Sequence, residues 1–352
     1  MTLVVKYLMS LKMLKTIWLA LFGLAFLVSC TPQSGSEIQP VLLQGKTMGT
    51  TFNVKLFPTQ EELTQLNLFE MVGEELKRIN LLMSTYIPDS ELSRLNQAKA
   101  GEPFNLSQDN VKVLAESMEL NKLTAGAFDV TVGPLVNLWG FGPKGRITKQ
   151  PDATLIAEVR NYVGGNMLTL SGSNVVKSHD KTYIDFSSIA KGYAVDKVAE
   201  LLERHGITSY LVEVGGETKI AGTKPDGKAW TIAIEKPVVD RREVQLILSP
   251  GNTGMATSGD YRNYFEEDGV RFSHTIDPVT ARPITHKLAS VTILHESTAS
   301  ADALATAVNV MGPVKGMEFV EKHNIAAYMV IKTEDGFAEV SSTQFKMLTE
   351  KE

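Results

Sequence analysis

YIDFSSIAKGYAVDKVAELLERHG, residues 183–206, is the stretch on which the reading of this chain turns. Tyr183, Ile184 and Phe186 predict a short strand, and the residues after it place Ala194, Val198, Leu201 and Leu202 on one helical face. Gly206 supplies the left-handed residue that ends such a helix. Ser187 is a candidate N-cap. A helix that begins where a strand ends leaves unpaired N–H groups and a partial positive charge there, a setting suited to phosphate. Asp185, Ser188 and Lys191 crowd that turn with an acceptor, a hydroxyl or carbonyl, and a cation. The same residues fit a plain helix start, with Asp185 and Ser187 as caps and Lys191 in water. The stretch alone does not separate these readings.

With 352 residues, 43% hydrophobic and 21% charged, the chain has an ordinary globular composition, enough for one large domain or two lobes. Its formal charge is −5, and the first 29 residues carry Lys6, Lys12 and Lys15 but no acid, so the rest is more acidic still. Nucleic acid is therefore excluded as a partner, because phosphate backbones require a basic face. The three lysines precede an apolar run at 17–28, too short for a comfortable membrane span, which ends in Leu27-Val28-Ser29-Cys30. This resembles the bacterial lipobox. It predicts a lipoprotein signal peptide at 1–29, a lipidated Cys30 opening a flexible tether at 30–44, and a folded domain at 45–349. The domain is then exported and lipid-anchored to a bacterial membrane, facing the periplasm. Cys30 is the single cysteine, which leaves no intrachain disulfide, thiolate nucleophile or cysteine metal site.

Along the domain, 46–54 reads as a strand containing Gly49. Thr59 to Glu62 fits a capping box for a helix striped by Leu63, Leu66, Val72, Leu76, Ile79 and Met83. Further helices are expected from Ser90 and Ser107, the latter stopping near Gly126. Asp129 lies in an apolar run, where an acid is costly unless bonded or used as a cap. The loop 139–145 is expected near the surface, and 152–163 is amphipathic. Strands are expected within 167–184, 209–222, 230–235 and 243–248. The glycines of 251–262 match no phosphate loop, since the lysine of a Walker motif is missing. His274 falls at a strand end. Another strand, 290–294, leads to a helix capped by Thr298 or Ser300, broken at Gly312-Pro313 and followed by a closing strand at 326–331.

Six histidines are scattered without a His-x-x-x-His pair, which argues against zinc. Asp302 and Thr306, four apart on a helix, point their oxygens the same way and offer a carboxylate and a hydroxyl to magnesium. Asp302 also fits an acid placed for the helix dipole. No Gly-x-Ser-x-Gly elbow supports a serine hydrolase.

The ordered set Thr47-Met48-Gly49-Thr50, Ser84-Thr85-Tyr86, Ala127-Phe128-Asp129, Asp185 to Gly192, Ser258 to Arg262, His274-x-Ile276-Asp277-Pro278 and Ala301 to Ala307 resembles the ApbE-type flavin transferases over nearly the whole domain. The resemblance implies a single α+β catalytic domain of two lobes, with mixed or antiparallel sheets flanked by helices and FAD in a cleft between the lobes. It implies Met48, Tyr86, Ala127, Phe128, Asp129, Asp185, Lys191 and Ile276 around the flavin nucleotide. Magnesium is expected on the Ser188 carbonyl, Asp302 and Thr306. The implied reaction moves FMN from FAD to a threonine or serine hydroxyl of a flavoprotein subunit in a membrane electron-transfer complex, releasing AMP. His274 is the candidate base. An FAD pyrophosphatase and a non-catalytic FAD-binding lipoprotein are the alternatives. Two departures from the family pattern are Ala281, where glycine is usual, and Glu213-Val214-Gly215-Gly216-Glu217 in place of Asn-Leu-Gly-Gly-Asp. Alanine disfavours a positive φ, so the turn after His274 is expected to differ in shape.

Overall fold

The computed structural model describes residues 40–58, 66–142, 145, 147, 149–238, 243–259, 264–267 and 270–350. The signal segment, Cys30, the capping box at 59–62 and residues 260–262 lie outside the described residues. Eight strands form one sheet: β1 (Val41–Thr47), β2 (Thr50–Leu56), β3 (Tyr210–Val214), β4 (Glu217–Ala221), β5 (Thr253–Gly259), β6 (Leu288–His295), β7 (Ala326–Thr333) and β8 (Gly336–Ser341). They lie side by side in chain order, each antiparallel to the next. The tether expected through residue 44 ends earlier, because Val41 to Gln44 already pair with Leu56 to Asn53 and Leu43 is buried.

Helices enter between strands as excursions: α1 (Leu68–Met83), α2 (Glu91–Gln97), α3 (Gln108–Leu123), α4 (Gly133–Leu138), α5 (Ala153–Arg160) and α6 (Ala190–Arg204) between β2 and β3, α7 (Thr298–Lys322) between β6 and β7, and α8 (Thr343–Thr349) after β8. Ser90 and Ser107 cap α2 and α3 as their sequence predicts, each accepting the N–H three residues on. The period-two alternation of β7 divides the core. Ala327 and Met329 join the cluster under α1, α6 and α7, while Ala326, Tyr328 and Val330 face the hairpin 232–248 and Phe345 of α8. Strand β6 is buried from Leu288 to Leu294 on both faces, which explains its unbroken apolar and small-residue run.

The junction of α6 and α7 governs the site. A Cβ on Gly192 would lie 2.2 Å from the carbonyl oxygen of Thr298 and 2.9 Å from Cα of Ala299, so only glycine permits this approach. Each helix caps the other. Asp196 of α6 accepts from the N–H groups of Thr298 and Ala299, both at 3.0 Å, and Asp302 of α7 accepts from that of Gly192 at 3.2 Å. Orphan donors of both first turns are thereby satisfied by carboxylates, which the helix dipoles also favour.

Several local expectations are corrected. Residues 183–186 belong to no strand, and α6 begins at Ala190 with no side-chain cap. Ser187 does not cap it; its own N–H is taken by Asp185 Oδ1 at 2.8 Å. The cap of α7 is Ser297, not Thr298 or Ser300. Trp139 is fully buried rather than near the surface, because its indole N–H reaches the Ala281 carbonyl at 3.0 Å. The glycine run after 251, for which the sequence excludes only a phosphate loop, is strand β5, where a Cβ on Gly254 would meet Thr298 Oγ1 at 2.5 Å. Ala281 keeps the left-handed turn, with φ 58, despite the expectation that it would change without glycine. The bond from its N–H to Asp277 O, 2.8 Å, and the Trp139 bond hold it there. Strand β8 and α8 come after the strand expected to close the chain.

Replacing Gly192 by alanine should force the helices apart and lower stability by about 1–3 kcal/mol, as overpacking does. Urea denaturation checks this, and an unchanged midpoint would show that the junction yields freely.

Candidate active site

The segment that delivers Asp185 is fastened from behind. Lys177, 1% exposed, donates to the carbonyls of Asn96 (2.8 Å), Thr182 (3.2 Å) and Asp180 (3.3 Å). Burial depresses the Lys177 pKa, but the carbonyl cage satisfies its three protons. Asn96 grips Ile184 twice, accepting its N–H at 2.7 Å and donating to its carbonyl at 2.8 Å. The Asp185 N–H then bonds to Val130 O at 2.7 Å, so the Ala127–Asp129 run is carried next to Asp185. Asp129, which its sequence leaves as either a bonded acid or a helix cap, is buried and accepts from Thr131 N–H at 2.7 Å and Oγ1 at 2.6 Å, while α4 has no side-chain cap. Burial pushes both Asp129 and Asp185 carboxyls up, against the hydrogen bonds they accept.

A cavity of about 650 Å³ opens between the β1–β2 turn, the end of α1 and the start of α6. Met48, Gly49, Asn80, Met83, the run Ser84 to Ile87, Asp185, Ser187, Ala190 and Lys191 line it. Met48 and Gly49 form a two-residue hairpin turn, with Thr47 paired to Thr50, and both have positive φ, 47 and 74. That geometry favours Asn-Gly, so Met48 is strained where it borders the cavity. Tyr86 is 70% exposed on the lining.

Lys191 ends the cavity and enters a cluster of charge. Its ammonium lies 3.1 Å from Glu217 Oε1 and 3.5 Å from Asp302 Oδ2, and donates to Ser187 O at 3.5 Å. Burial alone would depress its pKa, but the Asp302 and Glu217 charges outweigh that and hold it above the ordinary lysine value. Burial, reinforced by Asp302 and opposed by Lys191, pushes Glu217 up to about 7. Thus Met48, Tyr86, Asp185, Lys191 and Asp302 converge, with Ser188 in the turn at 187–189 and Thr306 one helical turn beyond Asp302.

His274 and Ile276 do not line this cavity. The His274 ring meets Phe141 edge-on, with centroids 6.4 Å apart, and Ile276 packs with Trp139 and Ala281. Between them Thr275 Oγ1 accepts from Asn309 of α7 at 3.3 Å, which ties this loop to the helix of Asp302 and Thr306. Glu217 and Asp196 are the residues that sequence reasoning missed. The Gly-Gly turn before Glu217 was the available signal for one, and for Asp196 the only one was its place a turn beyond Gly192.

Among the described residues, no group of three or more His, Cys, Asp or Glu is arranged for a metal. A single carboxylate with a hydroxyl and a carbonyl suits magnesium instead, since that ion keeps several waters and phosphate oxygens. The donor set fits: Asp302 meets Gly192 N–H and Lys191 through Oδ2, which leaves Oδ1 to a cation, and buried Glu217 Oε2 beside it has no hydrogen-bond partner.

A cavity of this size ending on a lysine, a carboxylate and a helix start, on an α+β scaffold, has the chemistry to suit a phosphate-bearing small molecule. The chain belongs to the ApbE family, whose model matches residues 48–329. It is 47% identical over 330 residues to an FAD:protein FMN transferase of Vibrio cholerae, covering 94% of this chain and 98% of that one. An Escherichia coli K12 protein of the same name is 37% identical over 329 residues, 91% of this chain and 93% of that one. The solved flavin transferase ApbE from Vibrio cholerae superposes with a TM-score of 0.82 at 47% identity, covering 88% of this chain and 99% of that one. The apo flavinyl transferase ApbE of Pseudomonas stutzeri gives 0.81 at 40%, covering 89% and 98%.

Met48→Asn should relax the turn and raise stability by about 1 kcal/mol, while flavin binding, measured by fluorescence quenching, weakens. Glu217 sets a pH dependence. Its folded value of about 7 exceeds its ordinary 4.5, so the fold binds this proton more tightly than the unfolded chain does. Wild-type stability should therefore decline relative to Glu217→Gln as pH rises from 4.5 to about 7, and level off above that. Urea midpoints across this range decide it; a constant difference would show that Glu217 is not raised.

Proposed function

We infer that this chain is an FAD:protein FMN transferase, moving FMN from FAD to a target protein. The observation that carries the reading is the Lys191–Asp302 pair, 3.5 Å apart, at the end of the cavity bordered by Met48, Tyr86 and Asp185. In the finer reading, Met48, Tyr86, the Ala127–Phe128–Asp129 run, Asp185 and Ile276 bind and orient FAD. Lys191 neutralises charge on its phosphates, and preorganised charge of this kind lowers the barrier to phosphoryl transfer.

The acceptor is a threonine or serine hydroxyl. Its oxygen bonds to the FMN-side phosphorus, the bond from that phosphorus to the bridging oxygen breaks, and AMP leaves with the electron pair. The hydroxyl proton passes to the imidazole of His274, the side-chain type most used as a general base. Asp302, Thr306 and the Ser188 carbonyl would hold Mg²⁺, which supplies further charge neutralisation at the pyrophosphate. Supporting this use of His274, its loop is bonded through Thr275 to Asn309 on the helix that bears Asp302 and Thr306.

The acceptors we propose are flavoprotein subunits of membrane electron-transfer complexes, reached from a lipid anchor at Cys30 on the periplasmic side. No helix among the described residues is long and apolar enough to cross a membrane. Replacing Cys30 by serine should move the protein from the membrane fraction to the soluble one.

Incubation with FAD, Mg²⁺ and an acceptor protein, with the products weighed by mass spectrometry, tests the reaction. The expected product is the acceptor plus FMN with equimolar AMP; free FMN without adduct would mean hydrolysis, and intact FAD would mean binding alone. Asp302→Asn and Thr306→Val should abolish transfer under these conditions. His274→Asn should slow it by about 10²–10⁴-fold, the usual contribution of a general base, with FAD affinity retained; an unchanged rate removes His274 from the mechanism.

A further inference from the structure

The Lys191 ammonium poses a problem for the function just proposed. A lysine beside a lone aspartate closes onto it, and an aspartate so paired is a poor ligand for a divalent cation. Here the lysine is shared, and the nearer partner is Glu217, at 3.1 Å against 3.5 Å for Asp302.

The way Glu217 is held suits a fixed anchor. It opens β4 directly after the two-residue turn Gly215-Gly216, opposite Val214, and is 4% exposed. Both glycines have positive φ, 64 and 110. A Cβ on Gly215 would lie 3.1 Å from Lys191 Cδ and 2.9 Å from Thr50 Cγ2, so the bare turn lets the lysine stem run across it. The Gly215 N–H is bonded to Thr51 O at 3.0 Å, which joins this turn to the strand after Met48 and Gly49. One oxygen of Glu217 takes the ammonium; the other is buried and has no hydrogen-bond partner. A buried carboxylate left in that state is costly.

We propose that Glu217 is a positioning residue that draws the Lys191 ammonium away from Asp302, keeping that carboxylate available to a divalent cation and the lysine aimed at the phosphates. The inference rests on Asp302 as a cation ligand. It adds to that reading a second carboxylate that never touches the cation and acts only through the lysine.

Mn²⁺ serves as a spectroscopic substitute for Mg²⁺, with its affinity read by electron paramagnetic resonance in the absence of turnover. Glu217→Gln, nearly isosteric, should weaken Mn²⁺ binding about tenfold, within the range of coupled charged neighbours. Glu217→Asp keeps the charge but shortens the reach to Lys191, and should also weaken binding, which a simple loss of charge would not produce. In a Lys191→Met background the Glu217→Gln change should alter Mn²⁺ affinity by less than about twofold, because the residue it acts through is gone. Thermal melts with and without FAD identify any variant that fails to fold, and Glu217→Asp then carries the test. Mn²⁺ affinity unchanged in both Glu217 variants, or lowered equally with and without Lys191, overturns the proposal. Asp302→Asn separates the two readings: if it binds Mn²⁺ as wild type does, the cation site itself falls and this inference with it. If Asp302→Asn loses Mn²⁺ while the Glu217 variants keep it, only the role of Glu217 falls.

Discussion

Two helices capping each other across a glycine contact set the geometry on which the site depends. Asp196 satisfies the first N–H groups of α7, and Asp302 satisfies one in the first turn of α6. Because Gly192 has no side chain, the backbones approach closely enough for both bonds. Asp302 therefore serves the fold and the site with the same oxygen: Oδ2 receives the Gly192 N–H and faces Lys191, the residue before it. Placing a carboxylate just past the first turn of a helix that is pinned at its start removes most of its freedom, which is what orienting a cation or a phosphate requires.

Around that fixed point the protein tolerates unfavourable local states. Met48 adopts φ 47 in a turn that favours asparagine, Ala281 adopts φ 58, and Glu217 is buried with one unpartnered oxygen. Such features persist only when the surroundings overdetermine them; Ala281 is held by its bonds to Asp277 and Trp139, and the other two by antiparallel strand pairs of the main sheet. The Met48 turn is bounded by the Thr47–Thr50 pair, the Glu217 turn by the Val214–Glu217 pair, and β2 and β3 pair side by side between them. Sheet register thus brings the two turns to one edge of the cavity region and presents α6 with both.

What was legible in the sequence was local or periodic. Ser90 and Ser107 announced helices because capping is a matter of three residues, and Asp302 with Thr306 announced a shared face because helical geometry fixes that spacing. The ordered motifs then gave the family. What was not legible depended on partners distant in sequence. Asp196 reads as one more acid on an amphipathic helix until the start of α7 is placed against it, and Glu217 reads as a strand residue until Lys191 reaches it. Trp139 sits in a glycine-rich run that looks exposed, yet the carbonyl of Ala281, far along the chain, gives its N–H a buried partner. Of the glycines after 251, which match no phosphate loop, Gly254 is needed because strand β5 passes the start of α7 too closely for a side chain there.

The break in α7 shows how a backbone defect is turned into a link between parts of the site. Gly312 leaves the helix with φ 79, and Pro313 has no N–H, so the carbonyl of Asn309 loses the partner that a continuous helix would give it. His286 replaces that partner: its Nε2 lies 2.7 Å from Asn309 O, while its Nδ1 accepts from Leu288 N–H at 3.3 Å. A carbonyl beside one nitrogen and a backbone N–H at the other hold the ring in place. Gly312 is again required, since a Cβ there would strike the His286 ring at 2.7 Å. The side chain of Asn309 then holds Thr275, the neighbour of His274. The helix that presents Asp302 and Thr306 at one end consequently restrains, at its break, the loop that carries the proposed base. Its interruption lets one element fix groups that belong to different stretches of the chain.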